Sequence, residues 1–181
     1  MGENSLFFTN LIEKGEFRID DKGHARLFGE YLFLIPPKVM VKLQNDLEEK
    51  IGHEEMSSLM KELGRYQVEQ ALDRYSIRMN FKDISKSKFL KFAQNIVKII
   101  GWGEIEFKTL KKESKEAEII INYPTFPEVY LRNHEPTETP ICHYLNGILQ
   151  EMVEKLIGEV ELYEETCAVN HDFHVCVFKT K

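Results

Sequence analysis

The chain has 181 residues, with 43% hydrophobic and 30% charged side chains and a formal net charge of -6. That length suits one domain, 1–181, with a core that needs no covalent staples. The negative charge argues against a nucleic-acid partner, because phosphate contacts need clustered Lys and Arg; the basic stretches Lys82–Lys91 and Lys108–Lys115 are interrupted by acids or apolar residues.

Extended structure is expected at the start. Phe17 and Ile19 alternate with polar residues, Asp20-Asp21-Lys22-Gly23 is a turn signal, and Ala25–Gly29 and Glu30–Ile35 continue as strands. Pro36-Pro37 stops the last strand and suits a helix start. Met40, Leu43, Leu47 and Ile51 then recur at helical spacing up to Gly52. A second helix from His53 to about Tyr75 carries Met56, Leu59, Met60 and Leu63 on one stripe. A third runs from an N-cap at Ser85 or Ser87 to Ile100, closed by Gly101. Glu104–Thr109 and Ala117–Asn122 form a hairpin across the charged segment Lys111–Glu116, and Ile119-Ile120-Ile121 suggests burial on both faces. The proline-interrupted segment Tyr123–Pro140 is expected to be irregular, with a short helical turn near Glu128–Arg132. A final helix opens at Thr139 or Pro140 and ends at Ile157, before Gly158; its stripe is Leu145, Ile148, Leu149, Met152, Val153 and Leu156. Glu159–Cys167 and Phe173–Lys179 are the last strands. The sum is an α+β fold, with helices packed on an antiparallel sheet.

No apolar run approaches the roughly 20 residues of a membrane helix, and the N-terminus lacks the pattern of a signal peptide. Cytoplasmic residence is the default expectation, with no membrane partner. Three cysteines in a reducing compartment read as thiols or metal ligands rather than a disulfide framework.

Cys142 falls in the first turn of the last helix, where unpaired N–H groups and the dipole favour a thiolate. A hairpin turning at His171-Asp172 sets Cys167 opposite Cys176. A tetrahedral zinc site needs a fourth ligand, and Glu164, Glu165, His171 and His174 are all adjacent. Strict alternation places Glu165 on the face of Cys167; a bulge near Thr166 brings Glu164 there instead. The alternative to a metal is three buried cysteines packed as small apolar residues. Other motifs carry nothing. Gly101-Trp102-Gly103 follows a helix rather than a strand and lacks the third glycine of a dinucleotide fingerprint. Cys142 and His143, as helical neighbours, point about 100° apart and form no nucleophile–base pair.

The segments Cys142-His-Tyr-Leu-Asn-Gly147, Glu164-Glu-Thr-Cys167 and Cys176-Val-Phe178 resemble the 4-vinyl reductase domain family, which is similar to the effector-sensing domains of phenol- and xylene-responsive activators. The shared pattern is Cys-x4-Gly at a helix start, then Glu-x-x-Cys, a hairpin, and a last Cys in Cys-x-Phe. Gly29–Pro37, Leu43–Gly64 and Ile121–Pro124 resemble the family more weakly. The resemblance implies an NO-signalling or TRAPP-like ligand-binding fold. It also implies one structural zinc held by Cys142, Glu164, Cys167 and Cys176, and a homodimer. A small hydrophobic, hydrocarbon-like ligand would be bound by a sensor domain, with Asn122, Tyr123, Phe126 and Asn146 as candidate contacts and no catalytic residue. Two alternatives accompany it: a reductase acting on a vinyl group of a tetrapyrrole-like substrate, for which no nucleotide or flavin motif is present, and a protein-interaction module. The chain departs from the family twice. Ala168–Val175 replaces a tighter Gly-Asp turn, which keeps His171 and His174 open as metal ligands. The strand Ile119–Asn122 lacks the Trp of aromatic-sensing members, so a phenol preference is not carried over.

Overall fold

A computed structural model describes residues 3–33, 35–78, 85–170 and 174–181. It shows an α+β chain whose described residues form two antiparallel sheets rather than one. The first sheet is small. β1 (Phe17–Ile19), β2 (Ala25–Leu27) and β3 (Glu30–Leu32) lie in sequence order. The Asp20 carboxylate shapes the first turn by accepting from the N–H groups of Lys22 and His24. Phe28 and Gly29, at φ 52° and 88°, make the second. Two consecutive left-handed residues match the twist of a tight hairpin. That backbone is unfavourable for Phe28, whose ring is buried against Leu11, Leu27 and Phe92. The strand expected over Glu30–Ile35 ends at Leu32, where pairing with β2 stops.

A helix not expected from the sequence, α1 (Glu3–Glu13), precedes this sheet. Leu11 is buried, and Phe7 meets Phe92 edge-on at 6.4 Å. α2 (Pro37–Ile51) has Pro37 in its first turn, and the Gly52 N–H caps its end on the Glu48 carbonyl. α3 (His53–Arg78) follows at once. α4 (Lys86–Ile99) starts at Ser85, whose hydroxyl accepts from the Lys88 N–H.

The second sheet has the order β4-β5-β7-β6, formed by β4 (Glu104–Lys111), β5 (Glu116–Asn122), β6 (Leu162–Thr166) and β7 (Val175–Thr180). Between β5 and β6 run α5 (Thr125–Leu131) and α6 (His143–Ile157). The last helix therefore begins three residues later than Pro140, with Cys142 at its N-cap. One face of α6, carrying Leu145, Leu149, Val153 and Ile157, joins Ile119, Ile121, Leu162 and Phe178 of the sheet in the main core. Ile120 is only half-buried, so β5 is not equally covered on both faces.

The opposite face of α6 lies against α3. A Cβ built on Gly147 would stand 2.0 Å from the Lys61 carbonyl oxygen, and one on Gly64 would stand 2.1 Å from that of Tyr144. No larger side chain fits without parting the helices. This approach sets the buried line of α3 as Met56, Met60 and Gly64, one turn apart. Leu59 and Leu63, expected on the same stripe, stay 37% and 41% exposed beside it.

Candidate metal centre

The ends of three elements meet at one edge of the main core. Cys142 stands at the N-cap of α6, Cys167 follows β6, and Cys176 lies within β7. All three are buried. Their sulfurs form a triangle: Cys142 to Cys176 is 3.7 Å, and both other sides are 3.9 Å. The Glu164 carboxylate completes the group, and the four ligand atoms lie within 4.8 Å of one another.

Strand register explains which glutamate arrives. Tyr163 pairs with Lys179 and Glu164 with Phe178, but Thr166 pairs with Val177, so one residue is extra at Glu165. The bulge turns Glu164 toward the sulfurs. Glu165 stays exposed and binds the Lys179 ammonium at 2.7 Å. His174 is exposed, and His171 lies outside the described residues.

The charges of this group oppose one another. Glu164 has its carboxyl pushed well above the usual range, by burial first and the adjacent Cys167 next. The Cys142 thiol is also pushed well up, by its contacts with Cys167 and Cys176 and then by burial. At Cys142 the neighbouring sulfurs and burial oppose the helix start, which favours the thiolate. Cys167 is lowered instead, by hydrogen bonds from Cys142 and Cys176, with help from the Val169 and Ile141 backbone. Contact with Cys142 lowers Cys176, but Cys167, burial and the Glu164 charge outweigh it and raise the thiol overall.

Fixed dipoles surround the group. The Cys142 N–H donates to Glu164 Oε2 at 3.1 Å, and the Ala168 N–H donates to Cys176 Sγ at 3.4 Å. Glu164 Oε1 is buried with no hydrogen-bond partner, an arrangement that costs roughly 1–3 kcal/mol unless something else satisfies it. Three sulfurs and a carboxylate are a donor set suited to zinc. With Zn–S bonds of about 2.3 Å, a regular tetrahedron has edges of about 3.8 Å, and the observed sulfur triangle has that size.

Beside the group lies a polar cluster that the sequence reading missed. His143 is 6% exposed; its Nδ1 meets the Ser57 hydroxyl at 3.0 Å, and its ring meets His53 edge-on at 5.3 Å. Burial first, then His53 and Lys61, lowers its pKa to about 4, so it is neutral at pH 7. The only sequence signal was a histidine following the helix cap.

The four candidate ligand contacts are scattered in exposure. Asn146 is 2% exposed, and its Oδ1 has no partner. Phe126 packs half-buried against the main core. Asn122 ends β5, paired with Glu104 and Val175. Tyr123 is 79% exposed, at φ 54°. A groove of ≈ 800 Å³ runs elsewhere, between α4 and β4, lined by Lys86, Lys91, Gln94, Lys98 and Phe107 among others.

No family model and no curated protein sequence matches the chain. Solved structures do. The phenol-responsive sensory domain of the transcription activator PoxR, solved with phenol, superposes with a TM-score of 0.79 at 15% identity, over 99% of this chain and 90% of that one. This chain has that domain's fold. A vinyl-4-reductase family protein from Methanocaldococcus jannaschii gives a TM-score of 0.52 at 19% identity, with 83% of each chain covered. Both likenesses are in fold, and it is the fold that the resemblance to the 4-vinyl reductase domain family implies. A trafficking protein particle complex subunit 3 from Naegleria fowleri, covalently bound to palmitic acid, gives 0.53 at 10% identity, over 80% of this chain and 93% of that one. The TRAPP-like architecture expected from the sequence is therefore the observed one. Among the described residues no helix is long and apolar enough to cross a membrane.

Proposed function

We infer that the chain, 1–181, is one cytoplasmic small-molecule-sensing domain of the 4-vinyl reductase family, acting as a homodimer and stabilised by one zinc ion per chain. The carrying observation is the buried triangle of sulfurs with sides of 3.7–3.9 Å, closed by the unpartnered Glu164 carboxylate. Cys142, Glu164, Cys167 and Cys176 would hold the ion. Bound zinc supplies the positive charge that lets all three thiols ionise together. Four protein ligands leave no open position for substrate, so the role is structural. The ion ties the β6–β7 hairpin to the start of α6. Two negative charges would remain at such a centre, and backbone N–H groups offset them. Lys155 and Lys179 bind Glu151 and Glu165 rather than this group.

The ligand is a small hydrophobic molecule, a reading supported by the shared fold of a domain solved with phenol. It would sit between the helices and the second sheet. Phe126 would offer an apolar wall and Asn146 the unsatisfied amide that orients a polar end. Asn122 and Tyr123 would lie toward the rim.

Metal analysis of the purified protein is expected to find one zinc per chain, and none in Cys142→Ser or Cys176→Ser. Full occupancy in both variants contradicts the site. Thermal melts with phenol, toluene and cyclohexane test the ligand class. A compound at a hundred times its Kd stabilises by about 2.7 kcal/mol, and the Asn146→Leu variant is expected to lose the response to phenol before that to toluene. Melts that none of the three compounds moves contradict the ligand class.

A further inference from the structure

A groove of ≈ 800 Å³ separates α4 from β4. β4 is an edge of the second sheet, whose order is β4-β5-β7-β6, and among the described residues no strand pairs with its outer side. Every second residue of an antiparallel strand turns its N–H and C=O to the same side. Ile105 and Leu110 turn theirs away from β5, because their carbonyls accept from α4: from the Gln94 amide at 3.2 Å and the Lys86 ammonium at 2.7 Å. Phe107, two residues after Ile105 and ahead of the bulge in β4, does the same. One wall of the groove is therefore a strand edge, held at two points by flexible side chains. Between those points the lining is apolar, with Leu90 and Phe107.

We propose that this groove takes an extended acidic peptide segment of another protein, which adds to β4 as a fifth strand of the sheet. In strand addition the main-chain hydrogen bonds give affinity, and the spaces that receive alternate side chains give specificity. Peptide N–H groups would replace Gln94 and Lys86 on the two carbonyls. An apolar peptide side chain would meet Leu90 and Phe107. Lys86, released from Leu110, would bind a carboxylate two residues along the peptide, a charge-assisted bond stronger than the one it leaves.

Charge selects this occupant. Positions 85–115 hold eight lysines and three glutamates, a net of +5 in a chain of net charge -6. α4 itself has four lysines and no acid. Lys98, Lys108 and Lys111 are paired with Glu104, Glu106 and Glu116. Lys86 meets no carboxylate among the described residues; its partner is a carbonyl. A second copy of the chain, approaching edge to edge, would bring the same basic segment, and like charges placed together repel. A nucleic acid would use the lysines but leave the N–H and C=O groups of the β4 edge without strand partners.

Fluorescence anisotropy with a labelled peptide of about eight residues, the length of a strand, is the test. The probe carries Leu at its centre and Glu two residues to either side, so it suits both strand directions. Binding is expected in the micromolar range, weaker at higher salt, and lost when Lys replaces both glutamates of the peptide. Lys86→Glu, which puts an acid where a helix start tolerates one, is expected to keep its circular dichroism and to weaken binding at least about tenfold. Lys38→Glu, the same change in the first turn of α2, is expected to weaken it by less than about twofold. Two forms of the peptide, N-methylated at alternate amides, separate strand addition from plain attraction and need no variant protein. One form is expected to lose binding and the other to keep it, since only one set of amides faces β4. Equal losses in the two lysine variants, equal binding of the two N-methylated forms, or no saturation up to about 1 mM overturns the proposal. So does a single-stranded oligonucleotide that binds the same groove more tightly than the peptide.

Discussion

The β6–β7 hairpin and the β1–β3 sheet are both built from short antiparallel strands, and they end in opposite ways. In the hairpin, reactive groups point inward: Cys167 and Cys176 are 4% and 0% exposed, and Glu164 Oε1 is buried. In the sheet, the conspicuous side chains point outward, with Phe33 87% exposed. An inward cluster of like-charged or proton-sharing groups calls for a cation. An outward row of aromatics calls for a surface. The hairpin is also backed by α6 and the largest core cluster, whereas the sheet rests on α1 and α4 through a smaller one.

If the hairpin depends on what lies behind it, the largest effect comes from parting α3 and α6. Gly147→Val puts carbon against the Lys61 carbonyl, where even a Cβ would be 2.0 Å away. We expect a loss of at least ~3 kcal/mol, a fall of roughly 6 °C or more in Tm for a chain of this size. A melt within 2 °C of wild type would mean that the helices are not in contact there.

Next is the metal itself. Cys176→Ser is expected to abolish zinc binding and to lower Tm, and a chelator should lower the wild-type Tm without changing that of the variant. Equal responses of the two proteins to the chelator would separate the hairpin's stability from the cation.

A sharper version compares neighbours. Glu164→Gln removes the charged ligand and is expected to weaken zinc binding by at least tenfold in a chelator competition. Glu165→Gln removes an exposed pair with Lys179 and should change stability by less than ~1 kcal/mol. A reversal of that ranking would place the bulge elsewhere. The smallest effect belongs to the open sheet: Phe33→Asp is expected to alter stability by no more than about 0.5 kcal/mol, read by urea denaturation.

The same contrast explains what could be read from the sequence. The strands of the second sheet, α2 to α4 and the meeting of the Cys167 and Cys176 sulfurs were legible, because each rests on a local signal: apolar periodicity, a Ser cap at Ser85, Pro37 at a helix start, or strand register; the turn expected at His171-Asp172 lies outside the described residues. Glu164 over Glu165 was legible only on condition of a bulge, because a single inserted residue reverses every face beyond it. α1 was missed. Leu6 and Ile12 are half-exposed, and the helix holds to the fold mainly through Leu11 and Phe7. The α3–α6 contact was hidden for another reason. Gly64 and Gly147 interrupt an apolar pattern in sequence, while in space their missing side chains are what the contact needs. At Cys142 the sequence showed the helix start but not the two sulfurs and the carboxylate that share its pocket and raise its thiol.

The central claim is a zinc ion held by three sulfurs and one carboxylate. X-ray absorption at the zinc edge reads that set directly. The account predicts three sulfur neighbours at about 2.3 Å and one oxygen at about 2.0–2.2 Å, with the oxygen contribution altered in Glu164→Gln and unchanged in Glu165→Gln. A first shell of nitrogen and oxygen only, or a protein purified without metal whose three thiols all react freely, would contradict it.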